Sequence, residues 1–251
     1  EQCALFADAC AVDISFEPCE DDPSEDCAVE KCVQKPEEMI VEEDIFDKEN
    51  MFPEETVFTT SKDTDGDGLT DVEEKIWQTD VNQIDSDEDG YLDGQEIKNI
   101  YNPLSGPEDD LRQTDLVDEY INESFGYSFI YPKSFEILEV NENKTNIIVQ
   151  STSTKEFFNI LVLDNETNLD NSVDWFLYNN PLADEMSESF EVVKVGQGFE
   201  GVMTSDGMNV YILSGKKVFL LTYQPGTNNK LNFLTTFGML VKSFSFFETA
   251  F

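Results

Sequence analysis

The sequence predicts an α+β fold: an antiparallel β-sheet with packed helices at the C-terminal end, preceded by a pair of acidic repeats and a disulfide-tied irregular N-terminal segment. Three observations carry this reading. From Phe125 onward, short β-branched or aromatic runs alternate with turn signals. Between residues 63 and 104 a twelve-residue acidic pattern occurs twice, and all five cysteines fall within the first 32 residues. The expected organisation is residues 1–62 as an acidic cysteine-bearing segment, 63–104 as the two repeats, 105–124 as a helical linker and 125–251 as the α+β domain.

Charge narrows the classes of partner. The 251 residues carry 15 Lys and Arg against 54 Asp and Glu, a net charge of −39 with no histidine. Phosphate backbones repel such a polyanion, so nucleic acid is excluded as a partner. Without histidine there is no Ser-His-Asp or Cys-His nucleophile and no His-ligated metal. No apolar run approaches the ~20 residues that span a bilayer, so membrane insertion is not expected. The charge is concentrated forward: residues 63–110 hold 16 acids and 2 bases, whereas 111–251 hold 19 acids and 9 bases.

At the front, Cys3, Cys10, Cys19, Cys27 and Cys32 show no C-x-x-C spacing. Clustered cysteines in a core-poor stretch read as a disulfide framework, which implies an oxidising compartment. Their pairing stays open, and the odd cysteine is either free or joined to another chain. Residues 36–62 mix acids with isolated Ile, Val and Phe and show no sustained period. Ordering such a segment takes disulfides, cations or another chain, so an assembled state such as a filament or surface layer is expected, through self-association or with another surface protein.

The middle carries the chemistry. DTDGDGLTDVEE at Asp63–Glu74 is echoed by DSDEDGYLDGQE at Asp85–Glu96. Each has acids at loop positions 1, 3, 5, 9 and 12 and glycine at 6, the ligand spacing of an EF-hand-type calcium loop. Calcium takes six to eight hard oxygens, and alternate aspartates turn three carboxylates inward from one tight loop. The expected ligands are Asp63, Asp65, Asp67, the Leu69 carbonyl, Asp71 and Glu74 in the first loop. In the second they are Asp85, Asp87, Asp89, the Tyr91 carbonyl, Asp93 and Glu96. Two calcium ions are expected, Asp71 and Asp93 acting directly or through water.

Only residues 75–84 separate the loops, too few for the two helices of a paired EF-hand. Asp80-Val81 and Asn102-Pro103 stand at matching places after their loops, and short helices (VEEKIWQ, GQEIKNI) follow each. This region resembles the bacterial thrombospondin type 3 repeat and is similar to dockerin loops. The resemblance implies a calcium-cemented rod with little apolar core, used as a stalk or spacer in secreted proteins. Ile76, Trp77, Tyr91, Ile97 and Tyr101 are expected to pack its short helices on each other.

Leu116, Val117, Tyr120 and Ile121 recur at helical spacing and predict a helix over 105–124. Strands are then expected at GYSFIYP, FEILEV, TNIIVQS, FFNILVL, FEVVKV, FEGVMT, NVYILS and KVFLLTY, with a last one at Ser243–Phe247. Helices are expected around Ser172–Asn179 and Asn229–Val241. GYSFIYPKSFEI and the closing KSFSFF resemble the PsbP-like fold, a mostly non-catalytic family of binding and assembly proteins. Asp174, Asp184 and Glu185 are read as ordinary charged helix ends and loops. The chain is therefore read as a non-enzymatic, extracellular or cell-surface calcium-binding structural protein, the repeats stiffening a spacer between a disulfide segment and an interaction domain. An adhesin or ligand-binding module with its site in the C-terminal domain is the alternative.

Overall fold

The computed structural model describes residues 10–18, 26–34, 58–107, 109–180, 190–196, 198–226 and 229–247, with only the backbone described in 10–18 and 26–34. The chain divides into two compact units, Glu1–Glu55 and Thr56–Phe251.

In the first unit, β1 (Cys10–Pro18) and β2 (Asp26–Gln34) pair antiparallel, in register from Cys10–Gln34 to Pro18–Asp26. Over these residues the front is regular, not irregular. In β1, Val12, Ile14 and Phe16 alternate with smaller or polar residues, the period of a strand. No two of Cys10, Cys27 and Cys32 are register partners. Cys3 and Cys19 lie outside the described residues, as do the side chains of the other three cysteines and therefore the disulfide framework.

The second unit opens with β3 (Thr59–Thr60) and the repeat helices α1 (Glu73–Trp77) and α2 (Asp93–Asn99). Then come β4 (Val117–Asn122), β5 (Tyr127–Pro132), β6 (Phe135–Glu139), β7 (Asn146–Ser151) and β8 (Phe157–Asp164). Helix α3 (Ser172–Asn179) leads to β9 (Phe190–Val195), β10 (Phe199–Thr204), β11 (Asn209–Ser214) and β12 (Lys217–Gln224). The chain closes with β13 (Lys230–Leu231), α4 (Leu234–Ser243) and β14 (Ser245–Phe246).

Seven strands form one antiparallel sheet in the order β6-β7-β8-β12-β11-β10-β9. A second sheet runs β14-β5-β4, also antiparallel, and β13 pairs with β3 in parallel. The expected antiparallel sheet with packed helices is thus present. The helix expected over 105–124 is not. A 3-10 turn at Leu111–Gln113 is followed by β4, which pairs with β5 from Val117–Pro132 to Asn122–Tyr127. Its Val, Tyr and Ile suit a strand once β5 supplies a partner, and pairing overrides a four-residue spacing that helix and strand both tolerate.

Helix α4 packs against α2, against β5 of the smaller sheet and against β9 and β12 of the larger one. Phe237, Leu240 and Val241 join Phe158, Phe219, Leu221 and Phe244 in one apolar core. Aromatic faces fill it: Tyr127 stacks on Phe244 with centroids 4.9 Å apart, and Phe158 lies 5.3 Å from Phe237. A second core unites Leu69, Trp77, Ile97 and Ile100 of the repeats with Leu111, Val117, Ile130 and Met239. So the repeats do not stand apart as a rod with little apolar core; they share side-chain packing with β4, β5 and α4. Trp77 and Ile97 are buried, but in this shared core with Val117, Ile130 and Met239 and not in a seam between the two short helices alone, whereas Tyr91 and Tyr101 stay 53% and 42% exposed.

Candidate metal centre

The two loops fold alike because their sequences impose the same constraints. Gly68 and Gly90, at position 6, have φ of +101° and +102°, a region costly for any residue with a Cβ. Each short helix ends sixteen residues into its repeat, on a left-handed residue, Gln78 or Ile100.

Within each loop the aspartates first bind their own backbone. Asp63 accepts from the N–H groups of Gly66 (2.7 Å) and Gly68 (3.2 Å), and Asp85 from those of Asp89 (3.2 Å) and Gly90 (2.8 Å). Asp67 Oδ1 accepts from Leu69 N at 2.7 Å and Asp89 Oδ1 from Tyr91 N at 2.9 Å. This turns the carboxylates inward. Ligand oxygens of Asp63, Asp65 and Asp67 lie within 4.8 Å of one another, as do those of Asp85, Asp87 and Asp89. Glu74 and Glu96 close the loops from α1 and α2, 0% and 2% exposed.

The oxygens left over decide what fits. Asp65 Oδ2, Asp87 Oδ2, Asp89 Oδ2 and both oxygens of Glu74 and Glu96 are buried with no hydrogen-bond partner. Buried carboxylate oxygens without donors are strongly disfavoured, and several facing one another more so. A divalent cation would supply the missing partner. With no cation, burial first and then repulsion from neighbouring aspartates push Glu74 to about 7 and Glu96 to about 8. Asp67 rises to about 6 for the same leading reason, opposed by its backbone hydrogen bonds. All-oxygen donors, crowded and flexible in number, suit calcium better than magnesium.

Position 9 behaves differently from the rest. Asp71 accepts from Thr64 Oγ1 (2.7 Å) and Lys62 Nζ (3.3 Å), and Asp93 from Ser86 N (2.8 Å) and Ser86 Oγ (2.5 Å). Both oxygens of each acid are engaged with the start of the loop, bracing it shut. The Thr64 hydroxyl, then Lys62, holds the Asp71 carboxyl below its usual range. Leu69, at position 7, buries its side chain in the repeat core, while Tyr91 leaves its ring in solvent.

Sequence spacing missed the residues that seat the loops. Thr70 Oγ1 donates to the Asn232 carbonyl (2.7 Å) and Thr235 Oγ1 to the Gly68 carbonyl (2.6 Å). Buried Glu73 accepts from Thr236 N and Thr236 Oγ1, both at 2.8 Å, and Trp77 Nε1 donates to Thr236 Oγ1 at 3.2 Å. Beneath them Glu156 accepts from Tyr223 OH (2.7 Å) and Asn232 Nδ2 (2.7 Å). These partners are far apart in sequence, so no local pattern announces them. Outside the loops, Asp174 is tied to Asn171 at the start of α3, as an ordinary helix end, while Asp184 and Glu185 lie outside the described residues.

The site and its surroundings define a class: paired calcium-type loops seated on an antiparallel α+β domain. Residues 63–80 and 85–99 match the bacterial TSP3 repeat. These loops are of the calcium-binding type and typical of extracellular proteins. Among solved structures, the chain is similar to a crystal structure from Bacteroides thetaiotaomicron VPI-5482, with 12% identity and a TM-score of 0.36 over 53% of this chain and 49% of that one. It therefore spans about half the length of that protein. It is also similar to the solution structure of cyanobacterial PsbP (CyanoP) from Synechocystis sp. PCC 6803, with 12% identity and a TM-score of 0.35 over 58% of this chain and 99% of that one. No curated protein matches it. Among the described residues, no helix is long and apolar enough to cross a membrane.

Proposed function

We propose that this chain is a secreted or cell-surface structural protein that binds two calcium ions and uses them to hold its C-terminal interaction domain in shape. The observation carrying this reading is the pair of buried glutamates, Glu74 and Glu96, whose four oxygens face acidic loops without a donor. The role is mechanical and non-catalytic. Calcium removes like-charge repulsion in a segment of 16 acids and 2 bases and so steadies the α+β domain joined to it. Packing of the repeats against β4, β5 and α4 makes them a buttress of the domain more than a free spacer. The partner is a second copy or another surface protein, as in a filament or surface layer.

Native mass spectrometry with and without calcium tests this by counting ions and subunits together. Two bound ions and a calcium-dependent oligomer are expected; an ion-free monomer in millimolar calcium contradicts the proposal. Protease digestion adds a structural readout. Chelation should open cleavage between residues 60 and 105, and unchanged cleavage there counts against calcium as the stiffening agent.

A further inference from the structure

Helix α4 has no cap of its own. Its N-cap residue, Phe233, offers no side-chain acceptor, yet Thr236 in the first turn is fully buried. A buried helix end left in that state costs about a hydrogen bond per orphan group. Glu73 supplies the acceptor from 163 residues away, its Oε1 taking Thr236 N and Thr236 Oγ1 at 2.8 Å each. A carboxylate there also sits favourably against the helix dipole. Glu73 is the immediate neighbour of Glu74, whose oxygens have no partner except the cation that loop 1 is built to hold.

We propose that Glu73, beside Glu74 and against the start of α4, carries calcium occupancy of loop 1 into the folding of the C-terminal domain. This rests on calcium binding by the loops as proposed above. Helix α1 is only five residues long, so it has no interior turn to keep when one end is lost. If Glu74 leaves its buried place for want of a cation, Glu73 moves with it and Thr236 loses its acceptor. Trp77 Nε1 and the Thr70 and Thr235 hydroxyls, bonded to Thr236 and to the Asn232 and Gly68 carbonyls, lie along the same seam and are released together. Phe237, Leu240 and Val241 of α4 belong to the core under the seven-stranded sheet. Calcium loss is therefore felt in the sheet, far along the chain from the loop in the case of β12.

Hydrogen exchange of the full chain, read peptide by peptide with and without calcium, tests this. With calcium at 100 times its dissociation constant, one-site linkage makes the open state roughly 100-fold rarer, and exchange correspondingly slower, in any segment that unfolds together with loop 1. That slowing is expected in residues 234–243 and in β8 and β12 as well as in 63–77. Slowing confined to 63–99 overturns the coupling while leaving calcium binding intact. No slowing anywhere, with no ion bound in native mass spectrometry, removes both. Glu73→Ala adds a second arm: it keeps every expected ligand, so two ions should still bind while the calcium-dependent slowing in 234–243 shrinks. An unchanged effect of calcium on 234–243 in that variant contradicts the role of Glu73, and the wild-type measurement stands whether or not the variant folds.

Discussion

Gly94 donates its backbone N–H to Asp67 Oδ2 at 3.1 Å, so a ligand of the first loop is held by the first turn of the second repeat's helix. The approach is close enough to require glycine. A Cβ on Gly94 would stand 2.6 Å from the Asp67 carbonyl oxygen and 2.9 Å from the Gly68 carbonyl carbon, both backbone. Replacing a helical glycine by alanine ordinarily gains about 1 kcal/mol of helix propensity. Here overpacking dominates. Gly94→Ala is expected to lower stability by about 1–3 kcal/mol in saturating calcium, measured by denaturant titration. A stabilised variant would show that the loops are not in contact.

The two glutamates closing the loops make the next prediction. Glu74→Gln and Glu96→Gln each remove one charge and one bidentate donor from a single site. Each should weaken one of the two calcium ions by roughly tenfold or more, the equivalent of about 1.4 kcal/mol, and leave the other detectable by calorimetry. Asp71→Asn should do less, because both Asp71 oxygens are occupied by Thr64 and Lys62.

The pH dependence has a definite sign. In the calcium-free protein Glu74 sits at about 7 and Glu96 at about 8, against 4.5 for the unperturbed carboxyl. The folded state then holds more protons than the unfolded one, so stability falls as pH rises from about 4.5 to 8. Glu73, pushed to about 7 chiefly by burial, contributes in the same sense. Thermal melts of calcium-depleted protein should drop steadily across that window. Calcium displaces the protons on Glu74 and Glu96, so its affinity should rise with pH and the melts should flatten when it is saturating.

The buried pair Glu156 and Tyr223 anchors β13 and the approach to α4. Tyr223 OH accepts from Asn232 N (2.9 Å) and Phe233 N (3.1 Å) while donating to Glu156. Glu156→Ala strands the Asn232 amide and the Tyr223 hydroxyl inside the core. A loss of about 2–4 kcal/mol is expected from two unsatisfied buried groups, read by chemical denaturation. Tyr223→Phe removes the acceptor of Phe233 N and leaves Asn232 N only Glu156 Oε1, at 3.3 Å, so a smaller loss of about 1–3 kcal/mol is expected.

How much of the fold and the site is legible in the sequence depends on the range of the interaction. Helix α3 and strands β9, β10 and β11 fall where their residues place them, because alternation, capping by Asn171 and flanking turns are local. The inward aspartates are equally legible, since a twelve-residue loop carries its whole geometry. Segment 117–122 has the spacing of a helix but is a strand, because its partner β5 decides the matter. Hairpin β1–β2 escapes a reading by composition because its acids and cysteines mask the alternation. The docking of the repeats is invisible from local pattern. Trp77 has the look of a residue for packing two short helices on each other, yet its indole N–H finds Thr236, 159 residues on.

Calorimetric titration of the calcium-depleted full chain asks whether the two loops take up calcium at all. Two ions per chain are expected, with affinities toward the ~10⁻⁴–10⁻³ M range of extracellular modules and a rise in melting temperature on saturation. No heat of binding and an unmoved melt at several millimolar calcium would contradict that uptake, leaving Glu74 and Glu96 as buried acids without a partner.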